Sequence, residues 1–169
     1  MRWLLPLLFL LLPTLAQGVL KVLEAERLEL RLEEGEEVYV LTGNPVRLER
    51  EGESLEAQRA VYYRERRLLL LSGNVRYQDR EGRRIEAEEL QVDLSDEGFD
   101  ALSVRIEAKD LLLTGPLCQR AAGTILLEEG YATPCAGCGQ KVPDYAFRAR
   151  EILLYPGDRV VARGVVLLM

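Results

Sequence analysis

The sequence predicts an all-β fold built from a repeated strand unit. Three observations support this: a recurring eight-residue pattern, glycine turns at short intervals, and runs rich in β-branched and aromatic residues. The pattern is first met at Leu23-Glu24-Ala25-Glu26-Arg27-Leu28-Glu29-Leu30. It returns at residues 55–62 (Leu-Glu-Ala-Gln-Arg-Ala-Val-Tyr), 85–92, 106–113 and 147–154. Its consensus is apolar-x-Ala-polar-polar-apolar-x-apolar.

The apolar-x-Ala start has a period of two, which puts both side chains on one face of a strand. Two polar residues then follow in succession, and the alternation resumes one residue out of step. A β-bulge does this, because one extra residue shifts the phase and bends the strand. Ile85, Ala87, Leu90 and Val92 would then share one side of a bent strand. Glu-rich segments with Leu three or four apart also suit a helix. The short spacing between glycines and the strand-like neighbours argue for strands.

A second element interleaves with the first. Val40-Leu41-Thr42-Gly43-Asn44-Pro45-Val46 is followed thirty residues later by Leu70-Leu71-Ser72-Gly73-Asn74-Val75. These Gly-Asn sites are either turns or bulges and strand-entry kinks. Val38-Tyr39-Val40, Val75-Arg76-Tyr77 and Val160-Val161-Ala162 are rich in β formers. Turns are expected at Glu34-Gly35, Glu51-Gly52, Glu81-Gly82, Glu97-Gly98, Glu129-Gly130 and Pro156-Gly157-Asp158, since glycine supplies the positive φ of tight hairpins. That rhythm suggests a sandwich, barrel or solenoid. No linker or low-complexity segment interrupts it, so residues 18–169 read as one domain.

Residues 1–17 read as a signal peptide. Met1 and Arg2 form a positive end, Trp3 to Leu12 an apolar run, and Thr14 and Ala16 a small-residue cleavage site. Cleavage is expected after Ala16, or alternatively at Gly18. The run is shorter than the roughly 20 residues of a membrane span. Without this segment the chain carries 21 basic and 28 acidic residues, because only Arg2 is removed. An acidic balance argues against nucleic acid, whose phosphates need a basic footprint.

The chain has no histidine, which rules out a Ser-His-Asp triad or a Cys-His nucleophile built from it alone. Three cysteines, Cys118, Cys135 and Cys138, fall short of a four-ligand structural zinc site. Pro134 and Gly139 flank the CxxC among strands, unlike a thioredoxin-type helix start. In an exported chain they are disulfide candidates: Cys118 with Cys135 or Cys138, or Cys135 with Cys138. No metal or cofactor is expected. Acidic pairs such as Glu128-Glu129, or Asp96 with Asp100, would suit glycoside hydrolysis in principle, but nothing singles out a pair. The chain therefore reads as a non-enzyme.

The Gly-Asn-Val strand entry paired with Ile-x-Ala strands resembles the OstA-like domains of lipopolysaccharide transport. These are the periplasmic bridge protein LptA and the N-terminal periplasmic domain of LptD. Tyr131-Ala132-Thr133-Pro134-Cys135-Ala136-Gly137-Cys138, followed by residues 143–152, looks like the end of that LptD domain. Residues 158–165 are similar to the stretch leading into its barrel. The resemblance covers residues 20–169. LptD continues into an outer-membrane barrel, whereas this sequence stops at Met169 and lacks such strands. The alternatives are a truncated LptD front end and a stand-alone LptA-like bridge.

The resemblance implies a β-jellyroll, an open V-shaped sandwich of bent antiparallel sheets, located in the periplasm. It implies acyl chains of lipopolysaccharide or a related glycolipid in an apolar groove. It also implies edge-strand stacking with other such domains and association with an outer-membrane barrel. Inward candidates for that groove are Val46, Leu48, Leu69, Leu71, Val75, Tyr77, Ile85, Ala87, Leu90 and Val92. Val104, Ile106, Leu111, Leu113, Ile125, Leu127, Phe147 and Ile152 continue them. An ordinary packed core would use the same positions. A structural envelope protein without lipid cargo is the other non-enzymatic reading.

Overall fold

The computed structural model describes residues 20–96, 98–108, 111–134, 146–155, 157 and 159–168. Residues 1–17, expected from the sequence to be a signal peptide, lie outside them, as do Cys135 and Cys138. Eleven strands follow one another: β1 (Lys21–Glu24), β2 (Arg27–Glu33), β3 (Glu36–Arg50), β4 (Glu53–Tyr63), β5 (Leu68–Gln78) and β6 (Arg84–Asp93), then β7 (Phe99–Ala108), β8 (Leu111–Ala121), β9 (Thr124–Pro134), β10 (Ala146–Tyr155) and β11 (Arg159–Leu168). The described residues contain no helix.

All strands join one antiparallel sheet in which sequence neighbours pair from β3 to β11. At the other edge, β2 pairs with the first half of β3 and β1 with its second half. These two form a broken edge strand, interrupted at Ala25-Glu26, just before and at the first residue of the polar step Glu26-Arg27 in the first copy of the repeat. β11 forms the opposite edge, so the sheet is open.

The phase shift of the repeat is visible in the strands. β6 alternates buried and exposed residues, skips through Glu88-Glu89, and resumes with Leu90 and Val92 buried. β4 and β9 behave in the same way. Registers slip between Thr42 and Val46, Glu56 and Arg59, and Ser72 and Val75. Asn74, Ser103 and Glu129 take positive φ within their strands, as does Gly73 at φ 79°. The Gly-Asn sites are therefore bulges within β3 and β5.

Two sequence expectations are corrected. Glu129-Gly130 is not a hairpin turn but lies inside β9, where Glu129 supplies the left-handed residue of a bulge. The adjacent hairpin turns instead at Ala122-Gly123. The copy at residues 106–113 is also not one bulged strand. Ala108 pairs with Leu111, so the chain reverses there and the copy is divided between β7 and β8.

The line of bulges is a crease. Tyr77 pairs with Ile85, and Phe99 with Val92. On a flat sheet, the stretch of β6 from Ile85 to Val92 would separate those rows by roughly 20 Å. The Tyr77 and Phe99 ring centroids are 5.4 Å apart, edge to face. Arg120 on β8 likewise reaches Glu53 on β4 at 3.2 Å. The two halves of the strands therefore face each other across one apolar layer. At the crease, Ala57 lies opposite Val46, Ala87 opposite Val75, and Gly130 opposite Ala149. Small residues belong there because adjoining side chains converge. A Cβ on Gly130 would stand 2.6 Å from Ile152 Cδ1.

Candidate functional site

The apolar layer and its two edges are the most distinctive site on the molecule. The inward candidates do share one face. All are buried except Leu111 and Phe147, which are half-buried at its margin. Leu48, Leu55, Leu69, Ile85, Ile106, Leu113, Ile125 and Ile152 are among its largest wholly buried side chains. Each contributes about 1.5–3 kcal/mol of burial. In this state the layer is a packed core. A cleft of about 560 Å³ lies on the outer face against Arg59, Tyr63, Gln91, Asp100 and Leu102.

The layer becomes exposed at both edges. Side chains directly opposite in an antiparallel pair share a face. Val22 faces Leu48, and Leu28 faces Leu41, whose side chains are buried. Leu30 and Leu32 continue the same side of β2. All four are exposed, Leu32 by 75%. At the far edge Val165 faces Ala149 and Leu167 faces Phe147. These two are 52% and 57% exposed. One apolar surface thus runs from β1 and β2 through the molecule to β11. The exposed apolar strips at the two edges are candidate interaction surfaces. The Leu-x-Leu-x-Leu of β2 is visible in the sequence. Its exposure depends on β2 being an edge strand, which the sequence does not state.

A buried polar cluster closes the layer where opposite strand ends meet, and sequence reasoning missed it. Glu53, Arg50 and Arg120 are all buried. Tyr77 Oη donates to Glu53 Oε1 at 2.7 Å, and Arg120 Nη1 donates to the same oxygen and to Tyr77 Oη. The Arg120 guanidinium lies 4.8 Å from the Phe99 ring centroid, within cation–π range. Burial pushes the Tyr77 phenol up, more than Arg120 pulls it down. Tyr77, a groove candidate by sequence, thus has its polar tip in this cluster. Beside it, Asp79 accepts from Arg83 at 2.5 Å in a second buried pair. Nothing in the local sequence distinguishes these arginines from the solvated ones on the outer face.

Cys118 is a free thiol, wholly buried opposite Ala101 and Leu127. Burial raises its pKa to about 12, so it remains a protonated, inert core residue. Glu128 and Glu129 are exposed, and Asp96 Oδ1 accepts from Gly98 N at 2.7 Å within its own turn. No cluster of His, Cys, Asp and Glu suited to a metal occurs among the described residues. No protein-family model matches the chain, and no curated protein matches it either.

Proposed function

We propose that this protein is a periplasmic lipid-binding bridge domain with an OstA-like jellyroll fold. In this reading it carries lipopolysaccharide or a related glycolipid toward the outer membrane without catalysis. The observation that carries the reading is the apolar layer that emerges at both edges of a creased sheet. An acyl chain needs a continuous apolar path with water excluded, and a core open at two ends offers one. The packed interior means that the halves must part about the crease to admit a chain. The unpaired backbones of β1, β2 and β11 suit strand addition to similar domains or to an outer-membrane partner.

The test is in-cell photo-crosslinking, with probes at Leu30 and Leu167 on the edges, Ile85 and Val104 inside, and Arg76 on the outer face. Glycolipid adducts are expected at the edge and interior positions and not at Arg76. Absence of adducts at all four sites would sink the proposal. The packed layer also supports a second reading, a structural envelope protein without cargo. Deletion would then weaken the envelope while leaving glycolipid correctly placed.

A further inference from the structure

Arg50 ends β3 on the inner face, two residues beyond Leu48, and is only 5% exposed. Its Nη2 donates to Leu94 O at 3.2 Å. Arg67 Nη2 donates to that same oxygen at 3.3 Å. One carbonyl thus holds two guanidinium groups. The Nε and Nη1 of Arg50 are buried, and neither has a hydrogen-bond partner. Buried donors are ordinarily satisfied, so such a pair calls for an explanation.

One oxygen of each nearby carboxylate is engaged elsewhere. Glu53 faces Arg50 across the hairpin, yet its Oε1 accepts from Tyr77 and Arg120. Asp93 lies within electrostatic reach of Arg67 and Arg50, but its Oδ1 accepts from the backbone and hydroxyl of Ser95. The Nε–H of Arg50 points to the same side as Nη2, so once Leu94 O leaves Nη2 the two form a fork that matches two oxygens of a carboxylate or phosphate. It sits at the end of the apolar layer, and the turn at Leu94 covers it.

We propose that Arg50, assisted by Arg67, binds the anionic group of an amphiphile, a carboxylate or a phosphate monoester, whose chain lies in the apolar layer. This rests on the lipid-binding reading and adds the charge of the ligand to it. Displacing the Leu94 turn frees both guanidinium groups at once, and the anion replaces the shared carbonyl.

The experiment is calorimetric titration of the full chain with decyl phosphate, decanoate, decanol and inorganic phosphate. Decyl phosphate and decanoate should bind about ten-fold or more tighter than decanol, the worth of one charge-assisted bond. Arg50→Met should abolish that preference while leaving decanol affinity unchanged. Arg50→Lys keeps the charge without the fork and should retain only part of it; this variant decides the matter if Arg50→Met fails to fold. A preference that survives in the variants overturns the Arg50 site and leaves lipid binding intact. Inorganic phosphate binding as tightly as decyl phosphate overturns the amphiphile assignment in favour of a free anion. Failure of all three decyl ligands to bind overturns the lipid reading itself.

Discussion

Cys118 and Tyr77 retain their protons for the same reason: ionising either would place a charge in the apolar layer. The unfolded thiol ionises from about 9, whereas the folded one holds its proton to about 12. Between those values the folded state binds more protons, so stability falls as pH rises through that window. Tyr77 acts with the same sign. Cys118→Ala should therefore flatten the loss of stability above pH 9, measured as urea midpoints at several pH values. An unchanged alkaline slope would refute the assignment. At neutral pH, Tyr77→Phe removes a bond to a charged partner and should cost about 1.5–3 kcal/mol. Cys118 should also resist alkylation until denaturant is added.

At the scale of the element, the crease governs each long strand. Its bulges change which side chains face inward halfway along, and its small residues let the halves approach. Gly130→Ala places a methyl group against Ile152, and Ile152 must move within a packed layer. The expected cost is about 1–3 kcal/mol, the usual range for overpacking, read from denaturant midpoints. No loss would mean that the crease is looser than the contacts imply. Ile106→Ala, at the centre of the layer, should cost about 2–5 kcal/mol through cavity formation. Most of this element-level design was legible in the sequence. The apolar-x-Ala-polar-polar pattern is the burial record of β4, β6 and β10. The exceptions were Glu129-Gly130 and residues 106–113. A Glu-Gly pair serves a hairpin and a bulge equally well, and only pairing partners separate the two.

At the scale of the whole molecule, the two edges differ in chemistry. β2 alternates Leu28, Leu30 and Leu32 with Arg27, Glu29, Arg31 and Glu33, and Arg31 pairs with Glu29 at 2.8 Å. Such exposed pairs contribute little stability, but charges on an edge discourage indiscriminate strand pairing. β11 ends in Val165, Val166, Leu167 and Leu168 without charge. If the edges join copies, the full chain should associate with rising concentration in sedimentation velocity runs. Leu30→Asp or Leu167→Asp should then hold it monomeric with an unchanged circular dichroism spectrum. Equal association in both variants would remove the edges as docking surfaces.

The sequence by itself determined the all-β class, the bulged repeat and the inward set, because a period of two and its interruption are local properties of a strand. Only the tertiary structure decided that one sheet folds back on itself, since that depends on contacts such as Tyr77 with Phe99 and Arg120 with Glu53. It also decided which of many arginines are buried. Burial of a charge is settled by what the far end of another strand brings to it, and no local pattern encodes that.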